Sequence, residues 1–200
     1  MVFSRHGYGG SGPVTWPRPF DYLTQEAAIV LPAVLQDMEV DRHVLIGHSD
    51  GATIAILSAA LAPQTGLTGL VAMAPHIFVE EITLQGIEVA RSRYETGLRD
   101  KLRRYHGDNV DGAFHGWAET WLHPGFRDWT IEATLPRVQV PSLLIQGRED
   151  GYASLDQIER IAAGVSGTVT QLVLENCGHS PHLDQPEPVL TAISNFLLKL

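Results

Sequence analysis

The five residues Gly47-His48-Ser49-Asp50-Gly51 join two segments of opposite character. Before them, Val44-Leu45-Ile46 is a short continuous apolar run that reads as a buried strand. After them, Asp50 to Ala62 is rich in Ala, Ile and Leu, reads as a helix, and is expected to stop at Pro63. A strand that turns straight into a helix over G-x-S-x-G leaves little choice of backbone. The serine sits on a strained turn, and glycine is expected at 47 and at 51 because side chains there would clash. Ala52 and Ala55 let the helix lie close to the strand. The turn lifts the Ser49 hydroxyl above the sheet edge, over a helix N-terminus that favours negative charge. The backbone N–H of Asp50 then points to where an oxyanion would form.

The rest of the chain supplies a setting for that turn. Leu70-Val71-Ala72-Met73, Leu143-Leu144-Ile145 and Leu172-Val173-Leu174 are three more apolar runs with turn residues nearby. With the run before Ser49 they read as strands buried on both faces, as in a parallel sheet. Thr24 to Met38 has helical spacing, with Thr24 as the expected N-cap and a kink expected at Pro32. Pro186 to Leu200 reads as a terminal helix with Val189, Leu190, Ile193, Phe196 and Leu197 on one face. Strands alternating with helices give an α/β fold with a mostly parallel sheet flanked by helices. Residues 76–137 break the alternation. They hold Trp117, Trp121 and Trp129 and a stretch from Glu88 to Tyr105 rich in Arg and Lys, and they read as a mostly helical insertion.

A serine hydroxyl is a weak nucleophile and needs a base, which in turn needs an orienting group. His179, in the loop after the last strand run, is the leading base, and His182 three residues later is its rival. Asp150, in the loop closing "LLIQGREDGY", is the leading acid, and its neighbour Glu149 is the fallback. Cys177 reads as a small buried residue, since a cysteine nucleophile would lack a base of its own. His106, His115 and His123 lie nine and eight residues apart, which matches no metal-ligand spacing. No metal or other cofactor is expected.

"GHSDG", "IQGREDGY" and "CGHSPHLDQPEPV", each after a strand run and in this order, resemble the α/β-hydrolase-fold serine hydrolases over nearly the whole chain. The resemblance implies Ser49 as nucleophile, His179 as base and then acid, and Asp150 as the group holding the imidazole, in the Ser–Asp–His order of that family. It implies a core of residues 1–75 and 138–200, with 76–137 as a helical cap. His48, Trp117 and Trp121 are the candidates for the substrate pocket. Haloalkane dehalogenases and epoxide hydrolases resemble this pattern but carry Asp at the elbow, so Ser49 points to acyl transfer. The expected reaction is hydrolysis of a small carboxylic ester or thioester through an acyl-enzyme. A C–C bond hydrolase with the same triad and an inactive member of the fold are the alternatives.

Gly7-Tyr8-Gly9-Gly10-Ser11-Gly12 matches the dinucleotide fingerprint G-x-G-x-x-G. Pro13, Pro17 and Pro19 make the helix that the fingerprint needs implausible. Within the resemblance, "SRHGYGGSGP" after Met1-Val2-Phe3 corresponds to the loop after the fourth strand of the family's sheet. The first three strands and their His-Gly oxyanion loop are then expected to be absent from these 200 residues, as in a fragment or a gene model that starts at an internal Met.

Composition narrows the partners. A net charge of −9 disfavours nucleic acid or an anionic membrane as the main partner. A single cysteine excludes an internal disulfide framework. No leader pattern opens the chain and no apolar run reaches membrane-helix length, so a cytoplasmic protein acting on a small molecule is expected.

Overall fold

The computed structural model describes residues 1–62 and 66–200, so the helix stop expected at Pro63 lies outside the described residues. Along the chain run α1 (Tyr22–Gln25), a π-helical turn (Glu26–Val30), α2 (Leu31–Asp37), β1 (His43–His48), α3 (Asp50–Leu61), β2 (Leu67–Met73), α4 (Glu81–Arg93), α5 (Arg99–His106), α6 (Val110–Trp121), β3 (Ser142–Gly147), α7 (Asp156–Gly164), β4 (Val169–Leu174), α8 (Pro181–Asp184) and α9 (Pro186–Leu197). They form two compact units. One is Asp21–Glu80 with Thr130–Leu200, and the other is Met1–Phe20 with Glu81–Trp129.

In the first unit the four strands pair in parallel in the order β1-β2-β3-β4. The central strands carry the core. Val71, Met73, Leu143 and Ile145 join Leu174, Val189 and Phe196 in one cluster. Leu70, Ala72 and Leu144 alternate with them and are buried as well. Burial of each Val, Leu, Ile, Met or Phe side chain among them contributes about 1.5–3 kcal/mol. The outer strands depart from the expected burial on both faces. As edges they have a neighbour on one side only, so Ile46 in β1 is 50% exposed and Thr170 and Gln171 in β4 are exposed.

The helices of this unit show where local chemistry modified the reading. The first begins at Tyr22, with Asp21 rather than Thr24 at its cap position. The disturbance attributed to Pro32 is a π-helical turn just before it, in which the Leu31 N–H donates to the Glu26 carbonyl. A proline cannot donate to the residue four back, and its ring crowds that turn, so the helix widens ahead of it. α3 is buried on every side from Ala52 to Ala60, as an all-apolar helix must be. α9 seats Val189 and Phe196, with Ile193 and Leu200 packed beside them. Leu190 and Leu197, expected on the same face, are 63% and 42% exposed.

In the second unit, α4 and α5 are separate helices, parted where Gly97 takes a φ of 124°. α5 buries none of its residues. α6 buries Ala113, Phe114, Ala118 and Trp121, and Trp121 meets Phe126 and Trp129 edge-on.

Residues 1–20 belong to this helical unit, where the sequence reading puts them with the sheet. Side-chain bonds explain the difference. The Gly9 N–H donates to His106 Nδ1, Asn109 Nδ2 donates to the carbonyls of Gly9 and Ser11, and the Arg18 N–H donates to Thr120 Oγ1. Met1-Val2-Phe3 forms no strand, Val2 is fully exposed, and no helix follows Gly12. These residues do not form the expected end of a fourth strand. The Gly-rich loop therefore has neither the strand nor the helix that dinucleotide binding requires. No helix among the described residues is long and apolar enough to cross a membrane.

Candidate active site

Ser49 closes β1 and opens α3 with φ 54° and ψ −123°. A non-glycine residue held there costs about 1–3 kcal/mol and persists only where its surroundings fix it. They do so here. The Ser49 N–H donates to the Met73 carbonyl at 2.9 Å, and its own carbonyl accepts from the N–H groups of Ala52 and Thr53. A Cβ on Gly47 would overlap the backbone of Gly51 and Ala52, so glycine is required at 47. A Cβ on Gly51 would meet nothing within 4 Å, which corrects the expectation of a matching requirement at 51.

The structure brings Ser49, His179 and Asp150 together. His179 Nε2 lies 2.9 Å from Ser49 Oγ, and His179 Nδ1 lies 2.8 Å from Asp150 Oδ2. A carboxylate only accepts, so Nδ1 carries the ring proton and Nε2 is left to accept from the serine hydroxyl. Asp150 is 4% exposed. Burial opposes its ionisation, but bonds from His179, from the Tyr152 N–H at 2.8 Å and from Gln146 Nε2 at 2.7 Å outweigh that and hold its pKa below the ordinary carboxyl value.

The loop that carries His179 is fastened residue by residue. The Cys177 backbone is held twice by Glu149, donating its N–H to the Glu149 carboxylate at 2.8 Å and accepting at its carbonyl from the Glu149 N–H at 3.0 Å. The Gly178 N–H donates to Asp184 Oδ2 at 2.9 Å. The backbone of Cys177 and Gly178 lies so close to Gly147 that no side chain fits at that position. Glu149, the fallback acid, thus holds the loop rather than the imidazole. Arg148 pairs with Glu175 at 2.6 Å on the surface.

Three further histidines surround His179. His48 donates from Nε2 to the His179 carbonyl at 2.6 Å. The His76 ring stacks on that of His179, 5.6 Å away and tilted by 12°. His182, the rival base, has its ring 4.8 Å from that of His48. Burial pushes both His48 and His76 down to about 4, so each is neutral at pH 7. Tyr152 packs against His179 at 4.8 Å. Asp50 accepts from the Tyr22 hydroxyl at 2.8 Å. In the helical unit Trp121 is 1% exposed, and Trp117 is half-buried with its ring edge-on to Phe114. Burial raises the Cys177 thiol above its ordinary pKa, which suits a packing residue and not a thiolate.

The sequence did not point to Gln146 or His76 as parts of this arrangement, and it offered Glu149 as an acid rather than as the anchor of the loop. Gln146 had a signal, being the one polar residue at the end of the apolar run of β3. His76 had none, because its place depends on Thr53 of α3, distant in sequence.

A parallel sheet whose strand β1 turns through a positive-φ serine into a buried helix, with an aspartate and a histidine on later loops, defines an α/β hydrolase. The model of the family described as "Alpha/beta hydrolase family" matches residues 1–192, and the chain belongs to that family. Over 212 residues it is 25% identical to N-formylmaleamate deformylase of Pseudomonas putida, covering 96% of this chain and 75% of that one. It is 23% identical over 218 residues to the putative carbamate hydrolase RutD of Pseudomonas syringae pv. syringae, covering 98% and 82%. Among solved structures, the His-tagged serine hydrolase CarC of carbazole degradation superimposes with a TM-score of 0.74 at 17% identity, over 98% of this chain and 77% of that one.

Proposed function

We propose that this hydrolase is a serine hydrolase that cleaves a small carboxylic ester or thioester. The observation that carries the reading is the single hydrogen-bonded line Ser49 Oγ–His179–Asp150. His179 Nε2 takes the hydroxyl proton as Ser49 Oγ attacks the acyl carbonyl. The imidazolium formed is stabilised by Asp150, which remains ionised. The Asp50 backbone N–H, at the start of α3, faces the oxyanion. Collapse of the tetrahedral adduct expels the leaving group, which takes the proton from His179. Water, activated by the same imidazole, then releases the acid and frees Ser49. The helical unit is assigned the role of a cap. Within it Trp117 is half-buried and Trp121 lies in a ring core, which favours Trp117 as the pocket candidate.

The names of two relatives, a deformylase and a carbamate hydrolase, favour widening the substrate class to amide-like acyl groups. A panel of p-nitrophenyl esters of increasing acyl length, run beside p-nitroanilides and with Ser49→Ala as background, tests both readings. Turnover that Ser49→Ala abolishes is the expected result. Turnover undiminished in Ser49→Ala would overturn the nucleophile assignment.

A further inference from the structure

We infer that His48, the residue before the nucleophile, is a positioning residue. Its ring N–H latches the backbone of His179 and so fixes the distance between base and nucleophile. The inference rests on the serine-hydrolase reading above.

The observation is a closed circuit. His48 and Ser49 are consecutive. His48 Nε2 is 2.6 Å from the His179 carbonyl oxygen, and His179 Nε2 is 2.9 Å from Ser49 Oγ. Two adjacent residues of the elbow thus hold the same histidine, one by its backbone and one by its side chain. A carbonyl only accepts, so His48 donates from Nε2. Other bonds hold the loop on either side, at Cys177 and Gly178 and, from the Leu183 and Asp184 N–H groups, at the Ser180 carbonyl. The bond from His48 reaches the backbone of residue 179 itself.

Side-chain bonds alone would leave the imidazole able to swing about its own backbone. Near-attack geometry tolerates little of that, since a displacement of about 1 Å costs on the order of 10²-fold in rate. His48 is suited to the task because it donates while uncharged. A cation whose ring centre lay 5.0 Å from that of His179 would oppose the imidazolium that catalysis forms. Burial keeps His48 neutral down to about pH 4. A lysine or arginine at 48 could reach a carbonyl but would bring that charge with it.

The test compares wild type, His48→Phe and His48→Gln. Phe keeps the ring packing against His179 and His182 and removes the donor. Gln places an amide N–H at about the reach of Nε2. The readouts are the fluorophosphonate labelling rate at saturating probe, the probe concentration at half-saturation, and the thermal unfolding midpoint. His48→Phe is expected to label about tenfold more slowly at saturation with little change in half-saturation, and His48→Gln to return to within about threefold of wild type. Equal saturating rates in His48→Phe and wild type would overturn the latch. So would a loss in His48→Gln as large as in His48→Phe. Failure of wild type to label would instead overturn the serine-hydrolase reading itself.

Discussion

Gly47 and Gly51 are crowded from one side only. A Cβ on Gly47 would run into the Gly51 carbonyl, whereas a Cβ on Gly51 would enter open space. The elbow therefore turns on a single steric requirement. Gly47→Ala must push α3 off β1 and is expected to lose about 2 kcal/mol or more of unfolding free energy. Gly51→Ala lies inside a helix and is expected to change stability by less than about 1 kcal/mol, toward greater stability. Urea unfolding of the two variants checks the asymmetry.

Asp150→Asn tests the part of the line furthest from the serine. An asparagine presents either an amide donor or a neutral acceptor to His179 Nδ1, and it no longer stabilises the imidazolium. Labelling by a fluorophosphonate is expected to fall by about 10³–10⁴. Glu149→Ala frees the Cys177 N–H without touching the imidazole. It should cost about 1–2 kcal/mol of stability and slow labelling far less than Asp150→Asn. A reversed order of the two variants would return the acid role to Glu149.

The buried histidines predict a particular acid sensitivity. His48 and His76 have folded pKa values of about 4 against an ordinary value of 6.5. Both are neutral when folded, while the unfolded chain begins to take up protons near 6.5. Their stabilising contribution is thus complete above pH 6.5 and is lost as the pH falls from there toward 4. For His76, which is 4% exposed, the loss is on the order of 3 kcal/mol, and for half-buried His48 it is smaller. Asp150, held below its ordinary pKa, adds a further loss only at lower pH. Unfolding free energy measured between pH 7 and 4.5 should fall with pH, and His76→Phe should flatten that slope.

Tyr22→Phe removes the 2.8 Å bond to Asp50, next to Ser49. The expected cost is about 1–3 kcal/mol, because Asp50 is buried and loses a donor. Chemical denaturation against wild type measures it.

Much of this architecture was legible in the chain. Continuous apolar runs marked all four strands, and the pentapeptide at 47–51 between a strand and an apolar helix marked the elbow. Ser49, Asp150 and His179 were named from their loops and from the resemblance to the α/β-hydrolases, and the structure brings Ser49 and Asp150 each within hydrogen-bond distance of His179. What escaped the reading depends on neighbours distant in sequence. That β1 is an edge, leaving Ile46 half exposed, follows from pairing and not from its own apolar run. The grouping of residues 1–20 with the helical unit rests on bonds spanning about a hundred residues, such as Gly9 to His106. The ring of His76 beside His179 is equally non-local, set by Thr53 of α3, whose hydroxyl bonds both the N–H and the carbonyl of His76.

The central claim is that Ser49 is the nucleophile, and identification of the labelled residue tests it most directly. The protein is treated with a fluorophosphonate, its intact mass is recorded, and its peptides are mapped. Attack by Ser49 Oγ forms a P–O bond and releases fluoride, so the account predicts one adduct, on the peptide containing Gly47-His48-Ser49-Asp50-Gly51, and none in Ser49→Ala. An unlabelled but folded wild type, or an adduct that persists in Ser49→Ala, would contradict it.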